Sequence, residues 1–181
     1  GYNGSSNMGY ELWTSDGTES GTFMVKDIRS GTSSSDPEHL TAVGDLVFFE
    51  ANDGTNGREL WKSNGTESGT ELVKDIRSSS SSSNLHNFVD FNGTLFFSAT
   101  DGSAGQELWK SNGTDSGTEM VKDIYYGGSS SDPYELTVVG DTLFFVACIS
   151  STYGCEIWSS DGTTAGTDVV LDIIYGSTSS Y

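Results

Sequence analysis

The sequence predicts an all-β fold, built as tandem four-stranded antiparallel units of about 48 residues. Three observations carry that prediction. The tripeptide Glu11-Leu12-Trp13 returns as Glu59-Leu60-Trp61, Glu107-Leu108-Trp109 and Glu156-Ile157-Trp158, at intervals of 48, 48 and 49 residues. A glycine-rich turn follows each copy. No window sustains the 3.6-residue apolar period of an amphipathic helix, whereas short β-favouring runs recur between Gly, Asn and Asp. Self-similarity at this period is the signature of a repeat architecture.

The unit that runs to Ile173 shows the four strands in order. Glu135 to Val139 reads as a first strand, and Gly140-Asp141 as a tight turn. Thr142 to Ala147, carrying Leu143-Phe144-Phe145-Val146, reads as the second. Gly154 to Ser159 is the third and Thr167 to Ile173 the fourth. Gly beside Asn or Asp accepts the positive φ that hairpin turns need. The third turns read Ser15-Asp16-Gly17-Thr18, Ser63-Asn64-Gly65-Thr66, Ser111-Asn112-Gly113-Thr114 and Ser160-Asp161-Gly162-Thr163. The fourth strands end Val25-Lys26-Asp27-Ile28, Val73-Lys74-Asp75-Ile76, Val121-Lys122-Asp123-Ile124 and Val170-Leu171-Asp172-Ile173. Four antiparallel strands in this length match a β-propeller blade. The alternative is a β-solenoid array, in which units stack linearly.

The phase divides the chain into the second half of a unit (1–30), units at 31–78, 79–126 and 127–175, and the start of a further linker (176–181), all in one array or propeller. A half-unit has an open sheet edge. Its missing strands are expected from more chain or from a neighbouring molecule, as in strand addition along a filament. The chain opens Gly1-Tyr2-Asn3-Gly4 without an initiator Met, and reads as a mature or excised piece of something longer.

The repeated motif Glu-Leu-Trp-x-x-Asp-Gly-Thr-x-x-Gly-Thr-x-x-Val-Lys-Asp-Ile resembles the ELWxxDGT repeat family of secreted and cell-surface proteins. That resemblance spans nearly the whole chain. It implies an architecture and an extracellular setting, but no reaction. The third turn is also similar to the Asp-box hairpin of sialidase-type propellers, although the aromatic that closes that pattern is missing. Asn64 and Asn112 replace Asp in the central turns, a change a turn-forming role survives and a strict carboxylate role does not.

Each repeated residue has a structural and a functional reading. Trp13, Trp61, Trp109 and Trp158 share one position, which suits packing between units; the rival is a sugar-stacking platform. The pairs Phe48-Phe49, Phe96-Phe97 and Phe144-Phe145 point to opposite faces of their strands, as sheets buried on both sides require. Asp27, Asp75, Asp123 and Asp172 either bond local backbone amides or the adjacent Lys, or line a ring that holds Ca²⁺ through oxygen ligands. Asp16, Asp161, Asp53 and Asp101 carry the same two readings. No other cofactor is expected.

Cys148 and Cys155 flank the only unit with an insertion and face each other across a hairpin. A disulfide there implies an oxidising compartment; the alternative is two free thiols. Asn3, Asn64, Asn92 and Asn112 each fit the N-glycosylation pattern, although Asn-Gly also arises for folding reasons. The tracts Ser33–Ser35, Ser78–Ser83 and Ser129–Ser131 are candidates for O-glycosylation or plain polar linkers.

Composition narrows the function. Eight Lys+Arg against 26 Asp+Glu give a formal charge of -18, so there is no basic footprint for nucleic acid. No apolar run approaches the roughly 20 residues of a membrane span. His39 and His86 fall at similar positions between units, and the third unit has Tyr134-Glu135 there. Carboxylates follow the repeat, whereas an active site needs asymmetric residues, so no catalytic residue and no enzyme activity are expected. The resulting expectation is a secreted or cell-surface structural repeat protein: a glycosylated, self-associating part of a filament, sheath or matrix. The alternative is a carbohydrate-binding or Ca²⁺-dependent adhesion module.

Overall fold

The computed structural model describes residues 8–150 and 154–171. Among them there is no helix, and fourteen strands form four antiparallel sheets. The first sheet has two strands, β1 (Leu12–Thr14) and β2 (Phe23–Lys26). The second holds β3 (Glu38–Val43), β4 (Leu46–Asn52), β5 (Arg58–Ser63) and β6 (Glu71–Lys74) in that order. The third holds β7 (His86–Phe91), β8 (Thr94–Thr100), β9 (Gln106–Ser111) and β10 (Thr118–Lys122). The fourth holds β11 (Tyr134–Val139), β12 (Thr142–Ser150), β13 (Gly154–Ser160) and β14 (Asp168–Leu171). The expected strands of the last unit are thus found within a few residues. The fourth is shorter at its start, and Asp172 and Ile173 lie outside the described residues.

The chain divides into two compact parts, residues 1–83 and 84–181. In the first, Leu12 and Val25 of the two-stranded sheet, with Ile28 just beyond it, meet Phe49, Ala51 and Trp61 of the next. In the second, Phe91, Phe96, Leu108, Val121 and Ile124 meet Leu143, Phe145, Ala147 and Trp158. The pleat explains the division of labour between the two phenylalanines of each second strand. Successive side chains point to opposite faces, so Phe96 packs forward onto the fourth sheet while Phe145 of that sheet packs back. Burial of both members at 48–49 and 96–97 follows. Trp61, Trp109 and Trp158 are all buried, and Phe145 stacks on Trp158 with centroids 6.4 Å apart.

Two irregularities repeat. In every third-to-fourth strand pair the register shifts beside the Trp, so that Lys26 faces Leu12 while Met24 faces Trp13. The extra residue, Val25, Val73 or Val121, is buried. Such a bulge re-aims the residues that follow it. Here the lysine reaches the next sheet: Lys26 Nζ donates to the Thr70 carbonyl (2.7 Å) and Lys122 Nζ to that of Thr167 (2.5 Å), the latter also lying over Trp158.

The second irregularity lies in the first strands, where register shifts accompany φ of 58° at His39, 57° at Asn87 and 56° at Glu135. His39 is therefore equivalent to Asn87, and His86 to Glu38. The two histidines occupy neighbouring positions of the repeat, not the same one, because the bulge fixes the alignment.

Cys148 faces Cys155 across β12 and β13, and the two are joined by a disulfide. The tip of that hairpin, 151–153, lies outside the described residues.

Candidate functional site

The residues that repeat most faithfully converge on a buried carboxylate. Glu11, Glu59, Glu107 and Glu156 stand at or beside the start of each third strand and are 4%, 0%, 0% and 0% exposed. Each is followed by Leu or Ile and then Trp, so the carboxylate enters the interior along with the apolar residues of the motif. A buried carboxylate is tolerable only with donors around it. Glu107 has four. Its Oε2 accepts from the Ile124 amide (2.9 Å) and the Ser131 hydroxyl (2.6 Å), and its Oε1 from the Ser131 amide (3.0 Å). Glu11 makes the same set with Ile28 and Ser35.

The serine continues the chain of bonds. Ser35 N also reaches the Tyr10 carbonyl, and the Ser35 carbonyl accepts from Asn52 N (2.9 Å) in the next sheet. Ser131 does the same with Gln106 and Cys148. One carboxylate thus ties the end of the fourth strand to the linker, and the linker to the second strand of the following sheet.

Glu59 differs in one atom. Its Oε2 accepts from Ile76 N at 2.8 Å, but its Oε1 is buried without a partner. Burial pushes its carboxyl up to about 7; the Ile76 amide and the Ser83 hydroxyl only partly offset this, and Asp75 adds repulsion. Burial also raises Glu107, although its full set of donors opposes the shift.

The aspartates of the Val-Lys-Asp-Ile motif lie beside these glutamates. Asp27 and Asp123 each accept an amide four residues on through Oδ2, from Gly31 (3.3 Å) and Gly127 (3.2 Å). Local backbone bonding is therefore part of their role. Their Oδ1 atoms, and that of Asp75, are buried without a partner. Asp172 lies outside the described residues.

In the third-to-fourth strand turn, Asn64 Oδ1 accepts from the Thr66 amide (3.1 Å) and hydroxyl (2.7 Å), and that hydroxyl accepts from Gly69 N. Asp16, Asn112 and Asp161 make the same bonds. Only Oδ1 is used, which explains why Asn and Asp interchange. The threonine bonds hold Asp16 and Asp161 below the usual carboxylate range. The Gly of the following Gly-Thr pair is forced by contact: a Cβ on Gly69 would lie 2.0 Å from Asn64 Oδ1. Asp53 and Asp101 sit in the second-to-third strand turns. Partial burial raises their carboxyls, but the amides of residues two and three further on outweigh it, and both end lowered.

Asn64, Asn92 and Asn112 are exposed, while Asn3 lies outside the described residues. The last two serines of each tract are already engaged. Ser34, Ser82 and Ser130 hydroxyls accept from the amides of Tyr10, Arg58 and Gln106, and Ser35, Ser83 and Ser131 are fully buried. Ser33, Ser78–Ser80 and Ser129 are exposed. Sequence reasoning singled out the Trp and Asp of the repeat but passed over its Glu and its last Ser. The signal was present: a Glu followed by Leu or Ile and then Trp in all four copies.

Among the described residues, one group of three potential metal-ligating side chains comes together, Glu38, His39 and Glu50. A cation already sits there: Arg58 pairs with Glu38 (2.7 Å) and with buried Glu50 (3.1 Å). Comparison with protein-family models and with curated proteins finds no match.

Two outcomes test the carboxylate. Glu107→Ala strands two amides and a hydroxyl in the interior, and is expected to cost about 2–4 kcal/mol by urea denaturation. Glu59 is raised in the folded state, so the folded protein holds its proton where the unfolded chain has lost it. Its contribution is fully present below about pH 4.5 and declines up to about pH 7. The stability difference between the native protein and Glu59→Gln should therefore shrink as pH rises through that window and stay flat outside it. A difference that is flat throughout would show that Glu59 titrates alike folded and unfolded.

Proposed function

We propose that the protein is a non-enzymatic, extracellular structural repeat protein, whose sheets are consecutive blades of a propeller-like array that serves as a building block of a surface filament, sheath or matrix. The observation that carries this reading is the use of the buried polar residues. Glu, Ser, Lys and Thr of the motif are spent on bonds that join strand to linker and sheet to sheet, with the same partners from unit to unit. Such side chains build a scaffold and present no unique centre. The resemblance to the ELWxxDGT family supports the same reading. A disulfide fits an oxidising compartment, and the net charge of -18 keeps assembled material hydrated. Exposed Asn64, Asn92 and Asn112 are the positions for attached glycans. Electron microscopy of native material tests the proposal. Filaments or sheets with a regular repeat are the expected result; monodisperse particles across a wide concentration range would count against it.

A second reading rests on the buried Oδ1 atoms of Asp27, Asp75 and Asp123. Oxygen atoms without donors, next to further carboxylates, are what a calcium ion satisfies. In that case the protein is a Ca²⁺-dependent adhesion module. Millimolar calcium should then raise the melting temperature by several degrees and a chelator should reverse it. An unchanged melting temperature removes this reading.

A further inference from the structure

We infer that Asn92 is a site of spontaneous modification, at which the Gly93 nitrogen closes on the Asn92 side-chain amide and converts it to an aspartyl or isoaspartyl residue. The substrate is the chain itself, and water is the only other reactant. Glycine has no Cβ to shield its nitrogen, so Asn-Gly is the dipeptide in which this ring closes most readily.

Among the described residues the dipeptide occurs four times, at Asn56-Gly57, Asn64-Gly65, Asn92-Gly93 and Asn112-Gly113. Three of these are locked. Asn64 and Asn112 each hold Oδ1 in two bonds, from the amide and hydroxyl of Thr66 or Thr114. Their amide nitrogens press on the next glycine: a Cβ on Gly69 would lie 2.5 Å from Asn64 Nδ2, and one on Gly117 2.4 Å from Asn112 Nδ2. The nitrogen that would attack donates to a serine hydroxyl, Gly65 N to Ser63 (2.9 Å) and Gly113 N to Ser111 (3.1 Å), and a hydroxyl is a poor base. Asn56 is half-buried, with Nδ2 donating to Asp53 Oδ2 (2.7 Å), and Gly57 is buried against the Ser81 carbonyl. Swinging any of these side chains toward the following nitrogen breaks contacts already made.

Asn92 differs on each count. Its side chain is exposed and makes no hydrogen bond among the described residues. Gly93 is exposed as well, and a Cβ on it would meet nothing within 4 Å, which leaves room for the succinimide ring. Gly93 N donates to Asp90 Oδ1 at 2.8 Å, so the atom that must lose a proton already points it at a carboxylate. This turn is particular to its unit, since the corresponding turns are Gly44-Asp45 and Gly140-Asp141.

The reaction proceeds in two steps. Gly93 N forms a bond to Asn92 Cγ while its proton passes to Asp90; the Cγ–Nδ2 bond breaks, and the nitrogen leaves as ammonia with that proton. Water then opens the succinimide at either carbonyl, giving aspartate or isoaspartate at position 92. Nothing is oxidised or reduced, and holding both groups in one turn makes the attack intramolecular. Nδ2 is also the atom to which an N-linked glycan attaches, so a glycan on Asn92 blocks the loss of ammonia and only chains without one are open to the reaction.

The full chain, produced without glycans and with its disulfide closed, is kept at mildly alkaline pH and sampled over time by digestion and mass spectrometry. Conversion of amide to acid should run at least tenfold faster at Asn92 than at Asn56, Asn64 or Asn112. In urea, where all four turns are released, that preference should disappear. Asp90→Asn keeps an acceptor oxygen in place but removes the base. It should slow the reaction at Asn92 at least tenfold in the folded chain and leave the rate in urea unchanged. Conversion at Asn92 no faster than at the other three sites in the folded chain overturns the inference, as does an Asp90→Asn chain that reacts at the native rate.

Discussion

Everything else in the structure depends on a carboxylate placed where water cannot reach it. An unpaired buried charge is costly, so Glu11 and Glu107 hold their surroundings to one arrangement: the amide after the fourth strand and the amide and hydroxyl of a linker serine must be present together. That serine carries the constraint onward through its carbonyl to the next sheet. The linker has little else to order it, being rich in Ser and short of apolar side chains. A polar anchor solves the problem of joining sheets whose cores are already filled by Phe and Trp.

The remaining joints follow the same logic with weaker bonds. The bulges beside Trp13 and Trp109 bury a valine and turn the following lysine toward the next sheet, where it finds a backbone carbonyl instead of a carboxylate. A carbonyl acceptor belongs to any sequence, so the joint is indifferent to side-chain variation. The turn between third and fourth strands has the same tolerance, because only one side-chain oxygen is needed and Asn or Asp supplies it. What is not tolerated is a Cβ at Gly69 or its equivalents, and there the sequence does not vary. Where the units do differ, as at Arg58, Gln106 and Cys155, the position lies at the strand end, and each residue solves its cross-strand contact separately.

The sequence by itself determined the repeat length, the strand class and order, the turn positions and the facing cysteines. Each of these is a local matter, set by period-two patterning, glycine geometry and spacing. The opposite-facing phenylalanines were legible for the same reason, since the pleat leaves no other choice. Only the tertiary structure decided the role of Glu107 and Ser131. They lie 24 residues apart, and nothing in either stretch states that the acid is buried and needs that particular hydroxyl. It also placed the positive φ of His39, Asn87 and Glu135 at a register shift inside the first strands, which no local turn signal in the sequence marks. A carboxylate reads identically in sequence whether it is buried or exposed, and burial is a property of its neighbours.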